Sequence, residues 1–501
     1  MVLPLPKDGN PGELSAAAST MASRIQMLRA VYGGTETMRA MEEEFLPKYD
    51  KESQTRYDTR LASTFALNKL REAVDAASAK PFRTLLKLNN NTDADVDLWV
   101  PDIDLQGNHL HLFTHTLFNN AMLDGLCHVL VDHPSTLKFN NLAEQKEAGV
   151  RPFFKMVRNT DIAAAYDEYD GGDVKTLHLR VKSFRVERDG FKEVIYDQIR
   201  VMEIEPGTEK GVVQLWEQKR GQGGGAFKFV EELPIEGMME LPFATLYAGE
   251  KESDYLARPV FIDLAYKQIE HWISSSDQRS ILAAARFPML ACSGVQIDEE
   301  DDEASFAIGP YKVLYSPEAN GRWYYVEPKG TAIESGRKDL EMLEMQMDMM
   351  ALNPVTGTHR QYVPQNERDI QETRVHSVVH DMAISCQNTI QKAIRFAGDW
   401  TGKDLSAVTV LLNTEFSNTK DRLAEIAHLI KVWEKRGLTR ETLLNEMRNR
   451  NLLGTDVDPK LEAQLLDQLG PEPAGGEPKP PEVDPEAGDF PKGQNRPKRQ
   501  V

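Results

Sequence analysis

What most constrains this chain is the order of its periodicities beyond residue 258. A helix-periodic stretch from Arg258 to Ala285 gives way to a short β-like interval from Pro288 to Glu327. The interval ends in the aromatic run Arg322-Trp-Tyr-Tyr-Val326. A second helix-periodic stretch follows, about Ala332 to Met350, and stops at Asn353-Pro-Val-Thr-Gly357. After a loop to about Arg368, a third runs to Trp400. In the first, Ile262, Tyr266, Ile269 and Ile273 share one face at spacings of three and four, while Lys267, Glu270 and His271 point away. Pro259 suits a first helical turn, where its missing N–H costs nothing. Such a helix is on the order of 40 Å long. The second places Leu340, Leu343, Met347 and Met350 on one side, and the third aligns Val375, Val378, Met382, Cys386, Ile390, Ala393 and Ala397.

The rest of the chain divides by texture. Ser15 to Ala79 reads as helical, with Leu61, Phe65, Ala66, Lys69, Leu70, Ala73 and Val74 in helical rhythm. A further helical stretch, His111 to Val131, precedes extended chain. Between Arg151 and Ala248, β-branched and aromatic residues alternate with polar ones, and Asp170-Gly-Gly172 and Asp189-Gly190 mark turns. That pattern predicts antiparallel hairpins. Near the end, a short strand at Val408–Leu412 precedes two helices. Gly437 closes the first of these, and Thr439 caps the second. The fold class is α+β. Beyond Gly470, eight of the 27 prolines fall within Pro471–Pro497, a composition expected to be disordered.

Charge and cysteine content narrow the function. Lys plus Arg is 59 against 78 Asp plus Glu, a formal charge of −19. Wrapping nucleic acid requires cations that neutralise phosphates, so this balance argues against a binder. It leaves room for a protein that DNA slides past. Three cysteines, Cys127, Cys292 and Cys386, form no motif and no closed disulfide framework, pointing to a reducing compartment. The N-terminus has no signal-peptide pattern, and no run of about 18 apolar residues marks a membrane span.

Candidate chemistry is sparse. His109, His111 and His115 form an H-x-H-x₃-H cluster of a type that could hold zinc and serve a metal-dependent hydrolase, but no carboxylate at catalytic spacing accompanies it. Asp102, Asp104 and Gly107 begin like a calcium loop, yet Phe113 stands where the bidentate Glu belongs. Gly221–Gly225 lacks the Lys and Ser/Thr of a P-loop and reads as a hairpin turn. The acidic run Asp298–Glu303 reads as a solvated loop, and the five methionines from Met342 to Met350 as a core or interface stripe. No cofactor, metal or catalytic residue is expected, and the chain is read as a structural protein.

The order of parts beyond residue 258 resembles the stem, clip, stem, tunnel loop and long wing-to-crown helix of tailed-bacteriophage portal proteins. Several segments are similar in wording too. Arg258-Pro-Val-Phe-Ile-Asp-Leu-Ala-Tyr266 with Ser274-Ser-Ser-Asp-Gln-Arg-Ser-Ile-Leu282 resembles a first stem helix. Tyr325-Val-Glu-Pro328, Ala332-Ile-Glu-Ser-Gly336 and Asp339-Leu-Glu-Met-Leu343 resemble the turn from clip into second stem helix. Upstream, Glu43-Glu-Phe-Leu-Pro47 with Tyr57, Arg60 and Phe65 resembles an N-terminal signature, and Leu123–Asp132 a helix-to-strand step.

The resemblance implies a portal-like subunit. It has a helical and β-rich wing over 1–255, stem helices at 256–287 and 330–352 and a clip at 288–329. A tunnel loop follows at 353–368, a long helix and wing strand at 369–416, a helical crown at 417–470 and a disordered tail at 471–501. It further implies a dodecameric homo-oligomer at the portal vertex of a virion, assembled in the host cytoplasm, with double-stranded DNA crossing its channel during packaging and ejection. Implied partners are the terminase packaging motor, major capsid protein, scaffold and head–tail adaptors. The resemblance places Thr356, Gly357, Thr358, His359 and Arg360 beside DNA, and Asp298, Glu299, Glu300, Trp323 and Tyr324 on the clip's docking face. Portal tunnel loops often carry lysines, whereas Arg360, Arg368 and His359 stand here instead. A head–tail adaptor ring is the nearest alternative, although adaptors are much shorter.

Overall fold

The computed structural model describes residues 5–91, 93–133, 149–170, 172–221, 226–285, 289–293, 321–326, 330–351, 365–414, 416, 419–435 and 437–449, together with positions 461 and 465. The chain forms two compact units, Met1–Phe416 and Ser417–Val501. The architecture mixes helix and sheet, as an α+β class requires.

The larger unit opens with helices α1 (Ala16–Gly33), α2 (Thr35–Ala40), α3 (Gln54–Ser63) and α4 (Lys69–Ser78). The helical rhythm expected through 61–74 is therefore broken. Thr64 is extended, and Asn68 caps α4, its Oδ1 accepting from the Arg71 N–H at 3.1 Å. Strand β1 (Lys87–Asn89) and helix α5 (Ala94–Trp99) lead to α6 (Leu110–Asp124). Gly125 then ends α6 in left-handed conformation, φ 91°, its N–H on the Ala121 carbonyl at 2.8 Å. A Cβ there would stand 3.2 Å from Pro259, so glycine is required by both conformation and space. Leu126 accordingly begins strand β2 (Leu126–Asp132), whereas the sequence pattern placed it in the helix.

Strand β2 lies between β3 (Phe153–Val157) and β9 (Phe243–Tyr247) in an antiparallel sheet. It is buried almost throughout, because helix α6 and the long helix α9 (Gln365–Thr401) pack on this sheet. The expected hairpins form a five-stranded antiparallel meander of β4 (Ile162–Asp170), β5 (Asp173–Asp189), β6 (Lys192–Ile204), β7 (Lys210–Lys219) and β8 (Lys228–Glu236). Leu179, Val181 and Met202 on the meander meet Leu130, Val157 and Phe243 in a second core. A small hairpin, β10 (Glu250–Ser253) and β11 (Leu256–Arg258), precedes helix α7 (Ile262–Ala285). The first long helix thus starts after Pro259, since Arg258 belongs to β11.

Strands β12 (Met289–Ser293) and β13 (Arg322–Val326) pair antiparallel, then helix α8 (Gly330–Met350) returns. Helix α9 already runs at Gln365, so residues 365–368 of the expected loop are helical. Its 37 residues span roughly 55 Å, with Val379, Ala383, Cys386, Ile390, Ile394 and Ala397 as the buried stripe. Val378, expected on that stripe, is 37% exposed. Strand β14 (Thr409–Leu411) pairs with β1. In the second unit, α10 (Thr419–Glu434) and α11 (Arg440–Asn449) pack together. Thr439 caps α11 by accepting from the Thr442 N–H at 3.1 Å. Among the described residues no helix is long and apolar enough to cross a membrane.

Candidate functional site: the paired long helices and their hairpin

Helices α7 and α8 pack side by side, and the strands that follow α7 and precede α8 form one hairpin. Polar pairs seam the two helices. Ser274 Oγ donates to Asp339 Oδ2 at 3.0 Å, and Gln278 Nε2 donates to the Ile333 carbonyl at 2.9 Å. His271 Nε2 lies 3.4 Å from Glu344 Oε1, and burial holds the imidazole below its ordinary pKa even beside that carboxylate. Lys69 of α4 reaches Asp348 at 2.9 Å.

The face that α7 buries overlaps the expected one only in part: Ile262 is buried and Ile269 and Ile273 pack against the core. Leu264, Ala265, Gln268, His271, Trp272 and Ser276 are buried, whereas Tyr266 is 58% exposed. The apolar tally pointed to the isoleucines. What decides the orientation is Trp272, the largest fully buried side chain among the described residues, together with Gln268, whose polar atoms find partners inside. Trp272 Nε1, Ser276 Oγ and His271 Nδ1, by contrast, have no hydrogen-bond partner among the described residues. The Gln268 Oε1 accepts from the Leu70 N–H at 2.8 Å, and its Nε2 faces the Val31 carbonyl and Asn68 Oδ1, both at 3.4 Å. One side chain therefore ties α7 to α1 and α4. On α8, Leu343 and Met347 are buried as expected, while Met342, Met345, Met349 and Met350 remain exposed.

The C-terminal part of α7 is braced by a cluster around Arg60, one of the residues of the N-terminal signature. Arg60 makes a two-pronged contact with Glu52, at 2.9 and 2.8 Å, and donates to the Pro47 carbonyl at 2.8 Å. The Tyr49 and Tyr57 rings cover the guanidinium. Tyr49 in turn hydrogen-bonds Asp277 of α7, and burial followed by that carboxylate pushes its phenol up to about 12. The Arg60 hydrogen bonds hold the Glu52 carboxyl below its ordinary range. Arg279 adds a bond to the Ser63 carbonyl at 3.3 Å.

At Gly336, α8 packs closely against Gln278 of α7. A Cβ there would stand 2.1 Å from Gln278 Oε1. Gly336→Ala should be nearly neutral, because about 1 kcal/mol of helix propensity offsets about 1 kcal/mol from the displaced Gln278 hydrogen bond. Gly336→Val brings a branched side chain into the same space and should cost about 2–3 kcal/mol. Urea titrations of the two variants check this ordering.

The other candidates separate cleanly. His109 caps α6 with Nδ1 accepting from the His111 N–H at 3.0 Å, and His111 Nδ1 accepts from the Leu86 N–H at 3.1 Å. His115 stacks on Phe82 at 4.9 Å. Two of the three imidazoles thus spend a lone pair on backbone amides, and burial lowers the pKa of His111 and His115. Among the described residues no His/Cys/Asp/Glu group suits a metal ion. Asp102 and Asp104 accept from the amides of Gly107, Gln106 and Asn108, folding their own loop. Trp323 pairs with Cys292 in the hairpin, and Tyr324 is half exposed beside Ala291. Asp298, Glu299, Glu300 and Thr356–Arg360 lie outside the described residues.

A family described as a domain of unknown function, DUF4055, matches residues 260–401, from the start of α7 to the end of α9. No curated protein matches the chain. Among solved structures, it is similar to a chain in the neck of an empty GTA particle, at 12% identity and TM-score 0.44, covering 77% of this chain and 90% of that one. It is also similar to a chain of the native gene transfer agent virion, at 12% identity and TM-score 0.40, covering 84% and 99% respectively. Likenesses this distant carry no functional argument.

Proposed function

We propose that this chain is the ring-forming portal subunit of a tailed phage, through which double-stranded DNA enters and leaves the head. The observation that supports the reading is one continuous arrangement: α7, the hairpin β12–β13, α8 packed back along α7, and then the 37-residue α9. That is the order on which the sequence resemblance rests. In this reading α7 and α8 are the stem, the hairpin begins and ends the clip, and about twelve copies close a channel. The clip would meet the packaging motor and later the adaptors. The formal charge of −19 suits a conduit, since an acidic wall repels phosphates where a basic one would trap them. A head–tail adaptor ring is the second reading, and the long helix–hairpin–helix excursion favours the portal.

Electron microscopy of the purified full chain should show closed rings with a central hole, and an ATPase assay on the same sample should show no turnover. A stable monomer at every salt concentration would remove the proposal. The segment between α8 and α9 is proposed to act on DNA movement rather than on folding. Replacing Val355–Val363 with a Gly/Ser linker should leave rings intact while shortening the packaged genome or weakening its retention. Particles that fill and hold DNA like the parent would make it a mere connector.

A further inference from the structure

Besides the outer side of β4, the meander leaves two sheet edges open among the described residues. Strand β4 pairs with β5 only as far as Ile162 opposite Val181, yet β5 continues to Asp189, held on its other side by β6. Residues 182–189 therefore present an outer row of N–H and C=O groups with no backbone partner among the described residues. At the opposite side of the sheet, β8 pairs only with β7, leaving 228–236 open as well. Open edges are normally blunted, because each is a template for another strand. Here Pro234 blunts one end of β8, having no N–H to give, and leaves 228–233 able to pair.

The two edges are complementary. The β5 edge carries Lys182, Arg185 and Arg188 against Glu187 and Asp189, and the β8 edge carries Glu231, Glu232 and Glu236 against Lys228. Each also exposes large apolar side chains, Phe184 at 64% and Val186 at 48% on one, Val230 at 48% and Leu233 at 37% on the other. Six to eight residues is an ordinary strand length, roughly 20–26 Å, so the open segments match in extent. They belong to one rigid sheet and face away from each other, so they cannot meet within one copy.

We infer that the β5 edge of one copy pairs with the β8 edge of a second copy, making a sheet that continues from subunit to subunit. Such a contact joins unlike surfaces head to tail, and that kind of contact closes rings or builds filaments. It needs self-association but not the portal reading, and a ring held by its long helices alone would lack it.

The test uses full-length chains with reversed edges. Glu231→Lys with Glu236→Lys makes both edges basic, and Lys182→Glu with Arg188→Glu makes both acidic. Each variant alone should associate at least ~tenfold more weakly than the parent in sedimentation at low salt, with unchanged far-UV circular dichroism. Mixing the two should restore assembly, because basic and acidic edges then alternate. Hydrogen exchange of the parent should show amides within 182–189 and 228–233 slowing on going from dilute to assembled protein. A mixture no better than either variant, or edge amides that exchange equally fast in the assembly, would overturn the inference. Rings with freely exchanging edges would overturn it while leaving the proposed function standing, and a chain that never associates would end both.

Discussion

Changing Gln268 to glutamate should destabilise the folded chain by about 3 kcal/mol at neutral pH, although one nitrogen becomes one oxygen. The parent side chain is 1% exposed and is used from both ends. Its oxygen takes the Leu70 N–H, one of the first amides of α4, which no carbonyl of that helix can reach. Its nitrogen faces two acceptors, Val31 O and Asn68 Oδ1. In the glutamate the first contact survives, but a carboxylate oxygen then confronts two oxygens in a site closed to water. Gln268→Leu removes every polar contact without adding a charge; the Leu70 N–H loses its partner while Val31 O and Asn68 Oδ1 keep the Gly34 and Arg71 amides, so about 2 kcal/mol is expected. The order of stability at pH 7 is thus glutamine, leucine, glutamate. Burial raises the folded-state pKa of the introduced acid, so its deficit must shrink as pH falls through that raised value while the leucine deficit stays constant. Urea titrations at pH 7 and pH 5 separate the two. A glutamate variant within 0.5 kcal/mol of the parent would mean that Gln268 does not anchor α7, a threshold set by ordinary surface substitutions.

How much of this was legible depended on whether the signal was local. The meander was readable because alternation and Asp-Gly turns act within a few residues, and the long helices because 3.6-residue periodicity persisted over several turns. The break between α3 and α4 carried a local mark, the cap at Asn68, but the apolar rhythm of Leu61 to Val74 runs across it and masks it. The buried face of α7 was legible only in part, through Ile262, Ile269 and Ile273. Tyr266 and the isoleucines suggest one stripe, whereas Gln268 and His271 are buried because Leu70 and Glu344 supply partners from residues 198 and 73 positions away. Hydropathy counts such residues as polar and turns them outward. Of the Arg60–Glu52 pair beneath Tyr49 only Arg60 stood in the family-like pattern, since nothing in its spacing announces a two-pronged contact. Gly336 shows the same limit. Its role is the space it leaves for Gln278, which depends on the approach of two helices 58 residues apart.

Two buried groups near the end of α6 should make stability respond to acid in opposite senses. Asp124 is fully buried, with Oδ2 on the Arg29 guanidinium at 2.5 Å and Oδ1 lacking a hydrogen-bond partner. Burial pushes its pKa from the ordinary 3.8 up to about 6. His128 lies four residues on in β2, between Thr245 Oγ1 at 3.0 Å and Asn159 Oδ1 at 3.2 Å, and burial pushes it from 6.5 down to about 4. The folded pKa of Asp124 is raised, so its contribution is fully present below the ordinary value and is lost as pH rises through about 6. That of His128 is depressed, so its contribution is present above 6.5 and is lost as pH falls through about 4. At about 1.4 kcal/mol per pKa unit each is worth about 3 kcal/mol, and over this shared window they nearly cancel. Asp124→Asn should uncover the histidine, so that stability falls by about 3 kcal/mol from pH 6.5 to pH 4 relative to the parent's own profile. At pH 7 that variant should be no less stable than the parent, because a neutral amide replaces a carboxylate the site disfavours. His128→Gln should lose packing at every pH yet show the opposite slope, gaining relative to the parent as acid is added. Only the slopes are diagnostic, since a purely structural loss shifts a profile without tilting it. Unfolding free energies at half-unit pH steps measure them, and parallel profiles for parent and both variants would show that neither group titrates differently in the folded chain.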